Sequence, residues 1–240
     1  MQNAMKLDVL AFGTHPDDVE LFCGGTIASL VEQGYRVGIV DLTRGELGTR
    51  GDVQTRQKEA EVAANILGVH IRENAGLADG NIEINSQNRH KLISLIRKFQ
   101  PKLVLLPFNQ DRHPDHEHAS RLISEACFYA GLSKIEDGQQ AHRPSSIIFY
   151  FSHYLKDPSF VVDISEFFKT KRMSLEAYES QFYTKQKQNT QPETYISSAS
   201  FWQAIEMRAR FYGHLIGVEY GEPFFYCSPL KINNLFEIFA

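Results

Sequence analysis

Residues 7–13 (LDVLAFG) are apolar almost without interruption, and the run ends at His15-Pro16-Asp17-Asp18. A strand without polar alternation is covered on both faces, as in a parallel sheet between two layers of helices. The segments that follow fit such a sheet. Residues 36–42, 70–74 and 103–106 read as further strands, with helical patterns at 26–33, 52–67, 86–99 and 115–130. Asp52 stands where a helix N-cap belongs, Gly34 and Gly68 stand where helices stop, and Pro101 follows a third. This alternation implies an α/β fold, a mostly parallel sheet with helices on both faces.

The second half is less regular. Residues 146–152 and 160–163 read as strands, 165–182 as a helix capped by Ser165, 200–216 as another helix and 223–227 as a late strand. Residues 184–200 are polar, lack periodicity and contain Pro192. A connection of that length is expected to serve as a lid. No composition shift marks a linker, so 1–240 is expected to form one domain.

The composition excludes several classes. The chain is 42% hydrophobic, enough to fill a core without staples. Its net charge of −4, with no basic stripe, argues against a nucleic-acid partner. Cys23, Cys127 and Cys227 are too few and too widely spaced for a disulfide framework. No run approaches the roughly 20 apolar residues of a membrane span, and residues 1–8 lack the pattern of a signal peptide. A cytoplasmic protein with no membrane partner is expected.

A second group, Asp111-Arg112-His113-Pro114-Asp115-His116, follows the strand at 103–106. Ligands of open α/β sheets bind beyond the carboxyl ends of strands, so the two clusters can share one site. His15, Asp18 and His116 would make a two-histidine, one-carboxylate set with an open position, the pattern of a catalytic zinc site. Such a metal lowers the pKa of its water towards about 7. Asp17 would stay free to take the proton, and His113, as imidazolium, would face developing negative charge. Arg44, Glu46, Arg50 and Arg56 crowd the segment 43–56. An arginine here could grip a carboxylate in bidentate fashion, although spacing alone favours a solvated loop and helix face. His153, after a strand and next to Tyr154, is a further site candidate. His118 is about 200° round the helix from His116 and points elsewhere. His70, His90 and His142 have no partner pattern. Cys23 reads as a small buried residue.

The stretches VLAFGTHPDDVELFCGGTIA, VDLTRGELGTRG, DRHPDHEHAS, HRPSSIIFYFSHY and GHLIGVEYGEPF span nearly the whole chain. Together they resemble the LmbE/PIG-L family of zinc-dependent N-acetylglucosaminide deacetylases. DLTRGELGTRG and GVEYGEPF are most similar to the bacillithiol-pathway subgroup, which acts on N-acetyl-α-D-glucosaminyl L-malate. Thr14, where alanine or glycine is commoner, is a departure that removes no functional group. The resemblance implies a Rossmann-like three-layer sandwich and zinc (Fe2+ in the cell as an alternative) on His15, Asp18 and His116. It implies Asp17 as general base and His113 as the oxyanion donor. It makes Arg56 a substrate contact, with Glu46 and His153 as further candidates, and Tyr195 part of a mobile loop. It also implies a homo-oligomer, possibly a hexamer. The expected reaction is amide hydrolysis of a small N-acetylglucosaminide, releasing acetate. The alternatives are another sugar aglycone (an inositol conjugate or a chitin disaccharide), a non-haem Fe(II) oxygenase using the same triad, and a sugar-binding module with a structural metal.

Overall fold

The computed structural model describes residues 6–183, 192–234 and 236. Five strands come first: β1 (Val9–Gly13), β2 (Val37–Asp41), β3 (Ile71–Asn74), β4 (Leu103–Pro107) and β5 (Ser146–Tyr150). Between them lie α1 (Asp18–Glu32), α2 (Val53–Leu67), α3 (Ser86–Phe99) and α4 (Pro114–Ala130). The chain closes with β6 (Phe160–Asp163), α5 (Phe168–Glu176), α6 (Ala199–Leu215) and β7 (Gly221–Phe225). The sheet has seven strands in the order β3-β2-β1-β4-β5-β7-β6. The pairings among β1–β5 are parallel, while β7 runs antiparallel to both β5 and β6.

The apolar strands feed two cores. Val9 and Ala11 join one with Phe22, Ile27, Ala63 and Leu67, from α1 and α2. Leu10 and Phe12, pointing the other way, join a second with Leu92, Ile96, Leu122 and Ile123, from α3 and α4. Each fully buried Leu, Ile or Phe contributes about 1.5–3 kcal/mol, which is why these strands carry no polar alternation. The order reverses between β1 and β4, so the loops leaving these two neighbours diverge and open a crevice. Both His-Pro-Asp clusters lie there.

Two helices differ from expectation. The first begins at Asp18 rather than at 26, because its first turns are buried all round and show no amphipathic period. It breaks at Cys23 (φ −143°, ψ 18°), where the N–H groups of Gly25 and Thr26 turn to Glu222 of β7, at 3.0 and 2.7 Å from its carboxylate oxygens. The Thr26 hydroxyl (2.6 Å) and the Lys171 ammonium (2.5 Å) donate to the same carboxylate. A Cβ on Gly25 would stand 2.8 Å from Ile164, so glycine is required there by close packing. The helix expected at 165–182 is confined to Phe168–Glu176, and Ser165 does not cap it. The Ser165 hydroxyl donates to Asp163 and accepts from the Tyr220 N–H, tying β6 to β7. Elsewhere the caps are as expected: Asp52 accepts from Thr55 N (2.7 Å), and α2 stops at Gly68 (φ 72°). The segment 184–191 of the expected lid lies outside the described residues.

Candidate metal centre and active site

The loop after β1 turns sharply into α1. Asp17 takes φ 113°, a left-handed conformation that few side chains adopt, while its carbonyl accepts from Leu21 N (2.9 Å). Strain of this kind persists only where the surroundings impose it, and it gathers at functional sites. The His15 N–H donates to Asp18 Oδ2 (2.8 Å), which folds the turn back on itself. On the other side of the crevice His113 caps α4, its Nδ1 accepting from Asp115 N (3.3 Å).

These turns bring His15, Asp18 and His116 together, with potential ligand atoms within 4.8 Å of one another. Asp18 Oδ2 lies 3.5 Å from His15 Nδ1 and 3.4 Å from His116 Nε2. The far nitrogen of each ring faces a further carboxylate. His15 Nε2 is 3.1 Å from Asp79 Oδ1, and His116 Nδ1 is 3.4 Å from Asp111 Oδ1. Outer carboxylates that orient imidazoles in this way are the usual second half of a metal site. Two imidazoles and a carboxylate suit a borderline divalent cation. The electrostatics agree. Burial opposes protonation of His15, yet Asp115, Asp18 and Asp79 together raise its pKa well above the ordinary value. Asp18, despite its burial, is held well below the usual range by His116 and His15. Positive charge is therefore strongly favoured at this point, and a bound cation would take the place of the protons.

Asp17 stands beside this group but outside it. Its Oδ2 accepts from Arg56 Nη2 at 3.0 Å, and it is only 5% exposed. Burial pushes its pKa up to about 7 against the pull of Arg56. The same Arg56 nitrogen donates to Pro16 O (2.5 Å), and Nη1 donates to Gly45 O (3.3 Å). His113 differs from the expected imidazolium. Burial and the neighbouring His15 and His116 lower its pKa, so the ring is neutral near pH 7. With Nδ1 accepting from backbone, its Nε2 carries the proton and is a neutral donor.

A cavity of about 480 Å3 opens over this constellation. His15, Asp17, Asp18, Arg56, His113, His116, His153 and Tyr195 all line it. His153 is fixed by Asp111, which accepts from its backbone N–H (2.9 Å) and lies 3.0 Å from its Nδ1. Tyr195 is exposed, with the Arg112 guanidinium 4.4 Å from its ring centre. Glu46 is placed outside the cavity lining; its carboxylate accepts from the backbone of Arg44 and Asp79 and braces the loop from outside. An adjoining, mainly apolar cavity of about 390 Å3 shares Leu21, His153 and Tyr195. Sequence reasoning missed Asp79 and the hub role of Asp111. Asp111 was visible inside its cluster. Asp79, in the ordinary turn sequence Ala78-Asp79-Gly80-Asn81, gave no signal at all.

The family model described as PIG-L, GlcNAc-PI de-N-acetylase, matches residues 10–127. A diacetylchitobiose deacetylase of Thermococcus kodakarensis is 32% identical over 233 residues, covering 89% of this chain and 80% of the relative. The chain belongs to the PIG-L/LmbE family. Among solved structures, a conserved protein of Thermus thermophilus is 37% identical with a TM-score of 0.86, over 95% of this chain and 98% of that one. The N,N'-diacetylchitobiose deacetylase of Pyrococcus horikoshii, solved with an inhibitor, is 28% identical with a TM-score of 0.77, over 93% of this chain and 84% of that one.

Proposed function

We propose that the chain is a metal-dependent N-deacetylase that hydrolyses the acetamide of N-acetyl-α-D-glucosaminyl L-malate to glucosaminyl-malate and acetate, in bacillithiol synthesis. The observation that carries the hydrolytic reading is Asp17, a buried carboxylate lining the cavity beside a cation-binding group to which it does not belong. A structural metal site has no use for such a neighbour. His15, Asp18 and His116 would hold zinc, or Fe2+ in the cell. The cation supplies a polarised amide carbonyl and a more acidic water when bound.

The chain's own groups do the rest. Asp17 Oδ accepts the proton of the attacking water, its carboxylate held in place by Arg56. The Nε2–H of His113 donates to the oxyanion that develops on the former carbonyl oxygen. Asp17 then returns the proton to the departing amine. His153 and Tyr195, on the same cavity wall, contact the sugar. Tyr195 and its neighbours in 194–198 close over it. Arg56, which lines the cavity, is a further substrate contact.

The deciding measurement is amine release from N-acetylglucosaminyl-malate by metal-loaded and chelated protein. Release that is equal with and without metal, or absent with both, overturns the reading. The diacetylchitobiose deacetylases among the relatives make the chitin disaccharide the competing substrate, and kcat/KM on the two compounds separates the cases. We further propose that residues 1–240 act as one cytoplasmic domain. Among the described residues no helix is long and apolar enough to cross a membrane. We also propose a homo-oligomer. Met207, Phe211 and Leu215, four residues apart on α6, are all exposed and form an apolar stripe suited to a subunit contact.

A further inference from the structure

Of the three arginines lining the catalytic cavity, two are committed. Arg56 is tied to Asp17, Pro16 and Gly45, and Arg112 is exposed and stacked on Tyr195. Arg50 is different. It is only 3% exposed, yet its guanidinium has no hydrogen bond and no ion pair among the described residues; its Nε, like that of Arg56, is fully enclosed without a partner. Residues 184–191, outside the description, contain no aspartate or glutamate that would complement it.

Its backbone, by contrast, is firmly held. The Gln181 amide donates to the Arg50 carbonyl at 2.6 Å. The next residue, Gly51, has φ 71° and packs so tightly that a Cβ would stand 2.6 Å from the Ser180 hydroxyl. The loop thus fixes the arginine's backbone while leaving its charge unanswered. A guanidinium cannot shed its proton, so withdrawing it from water without a counter-charge costs several kcal/mol. A protein that keeps such a group at the wall of its active cavity is arranged to receive an anion there. Asp17, Asp18 and Asp79 also line that cavity, so the cation-binding group itself is no place for an anion.

We propose that Arg50 is the anion subsite of this enzyme and binds a carboxylate on the aglycone of the substrate. The assignment rests on the deacetylase reading above and sharpens its substrate class. The acetamide lies beside the cation-binding group, and the aglycone carboxylate lies at Arg50. One planar guanidinium matches one carboxylate through two parallel N–H···O bonds, whereas a phosphate dianion calls for more donors. Arg50, rather than Arg56, then carries the charge recognition, because the hydrogen bonds of Arg56 are largely used within the protein.

The test compares wild type with Arg50→Gln on two substrates, N-acetylglucosaminyl-malate and the neutral methyl N-acetylglucosaminide. The preference for the malyl substrate, as a ratio of kcat/KM values, should fall at least tenfold in the variant, chiefly through KM. A readout independent of turnover is thermal stability. L-Malate should raise the Tm of wild type and should not raise that of Arg50→Gln. Without ligand, the variant should be at least as stable as wild type, since an uncompensated buried charge is gone. If Arg50→Gln does not fold, Arg50→Lys keeps the charge and loses the fork, and its preference should fall severalfold. An unchanged preference, or an equal malate shift in both proteins, overturns the assignment. Wild type that releases amine from neither substrate defeats the deacetylase reading instead, and the malate shift still decides the anion site.

Discussion

Replacing Asp17 by Asn keeps shape and removes one function, which makes it the sharpest probe of the site. The backbone should accept the change. Asn is among the few residues that tolerate the left-handed region, and Asp17 sits at φ 113°. The side-chain oxygen can still accept from Arg56, now 3.0 Å from Asp17 Oδ2. At that distance, with an effective dielectric of about 20, the gross attraction is about 5 kcal/mol, and desolvation outweighs it, as the raised pKa shows. Because burial outweighs Arg56 and raises the Asp17 pKa to about 7, the fold disfavours the ionised form, and a neutral amide should cost less than about 1 kcal/mol of stability or add to it. The catalytic loss should be larger. A positioned base contributes about 10²–10⁴-fold, or roughly 3–5 kcal/mol of barrier. Metal content should not change, since Asp17 is outside the His15–Asp18–His116 group. The assay measures kcat/KM for amine release, bound metal per chain and Tm on one preparation. Activity within a few-fold of wild type at full metal content would refute the base assignment. Activity lost in step with metal would mean that Asp17 acts through the cation instead.

Asp111→Asn should weaken metal affinity about 10–100-fold, read by competition with a chromogenic chelator, because Asp111 faces His116 Nδ1 and holds His153; unchanged affinity would remove Asp111 from the centre. Lys171→Met strands the buried Glu222 carboxylate and should cost about 3–5 kcal/mol in denaturant unfolding, with part regained in the double variant Lys171→Met/Glu222→Gln. A loss under 1 kcal/mol would show that the pair is not coupled to folding. Asp137 holds Arg97 (2.5 Å), and its pKa is lowered below the ordinary 3.8 by Arg97 and the Gln139 N–H, against the effect of burial. A depressed folded-state value stabilises above the unfolded pKa and is lost as pH falls through the folded one. Asp137→Asn should therefore be less stable than wild type at pH 7, and the gap should close below about pH 4. A gap independent of pH would contradict the linkage.

The strands and the two His-Pro-Asp clusters were legible because local rules govern them. A strand buried on both faces has no choice but an apolar run, and ligands grouped at strand ends keep their spacing in the chain. What escaped depended on distant partners. The first turns of α1 are buried on all sides, so Val19, Leu21 and Phe22 show no helical stripe, and nothing local reveals that Ile164 packs against Gly25. Ser165 looked like a cap because nothing local reveals that Tyr220 N–H would claim it. Asp79 reaches His15 across 64 residues, and the pKa of His113 is lowered by burial and by two imidazoles that folding places beside it. The unanswered charge of Arg50 is likewise a property of surroundings, not of spacing.

The proposed ligands, base and oxyanion donor all occur before residue 120, and the family match ends at 127. The contact between Glu222 and Gly25, 197 positions apart in the chain, changes what that means. The helix that begins at Asp18 restarts beyond Cys23 only because a strand made near the end of the chain supplies its acceptor. Contacts of such long range close late, after the loops between them have been ordered. The first half of the polypeptide therefore holds every proposed reactive group but lacks the acceptor that α1 uses at its break. Synthesis past residue 222 is what sets the scaffold beneath Asp18, and a fragment ending after α4 would carry the complete motif set on an unfinished helix.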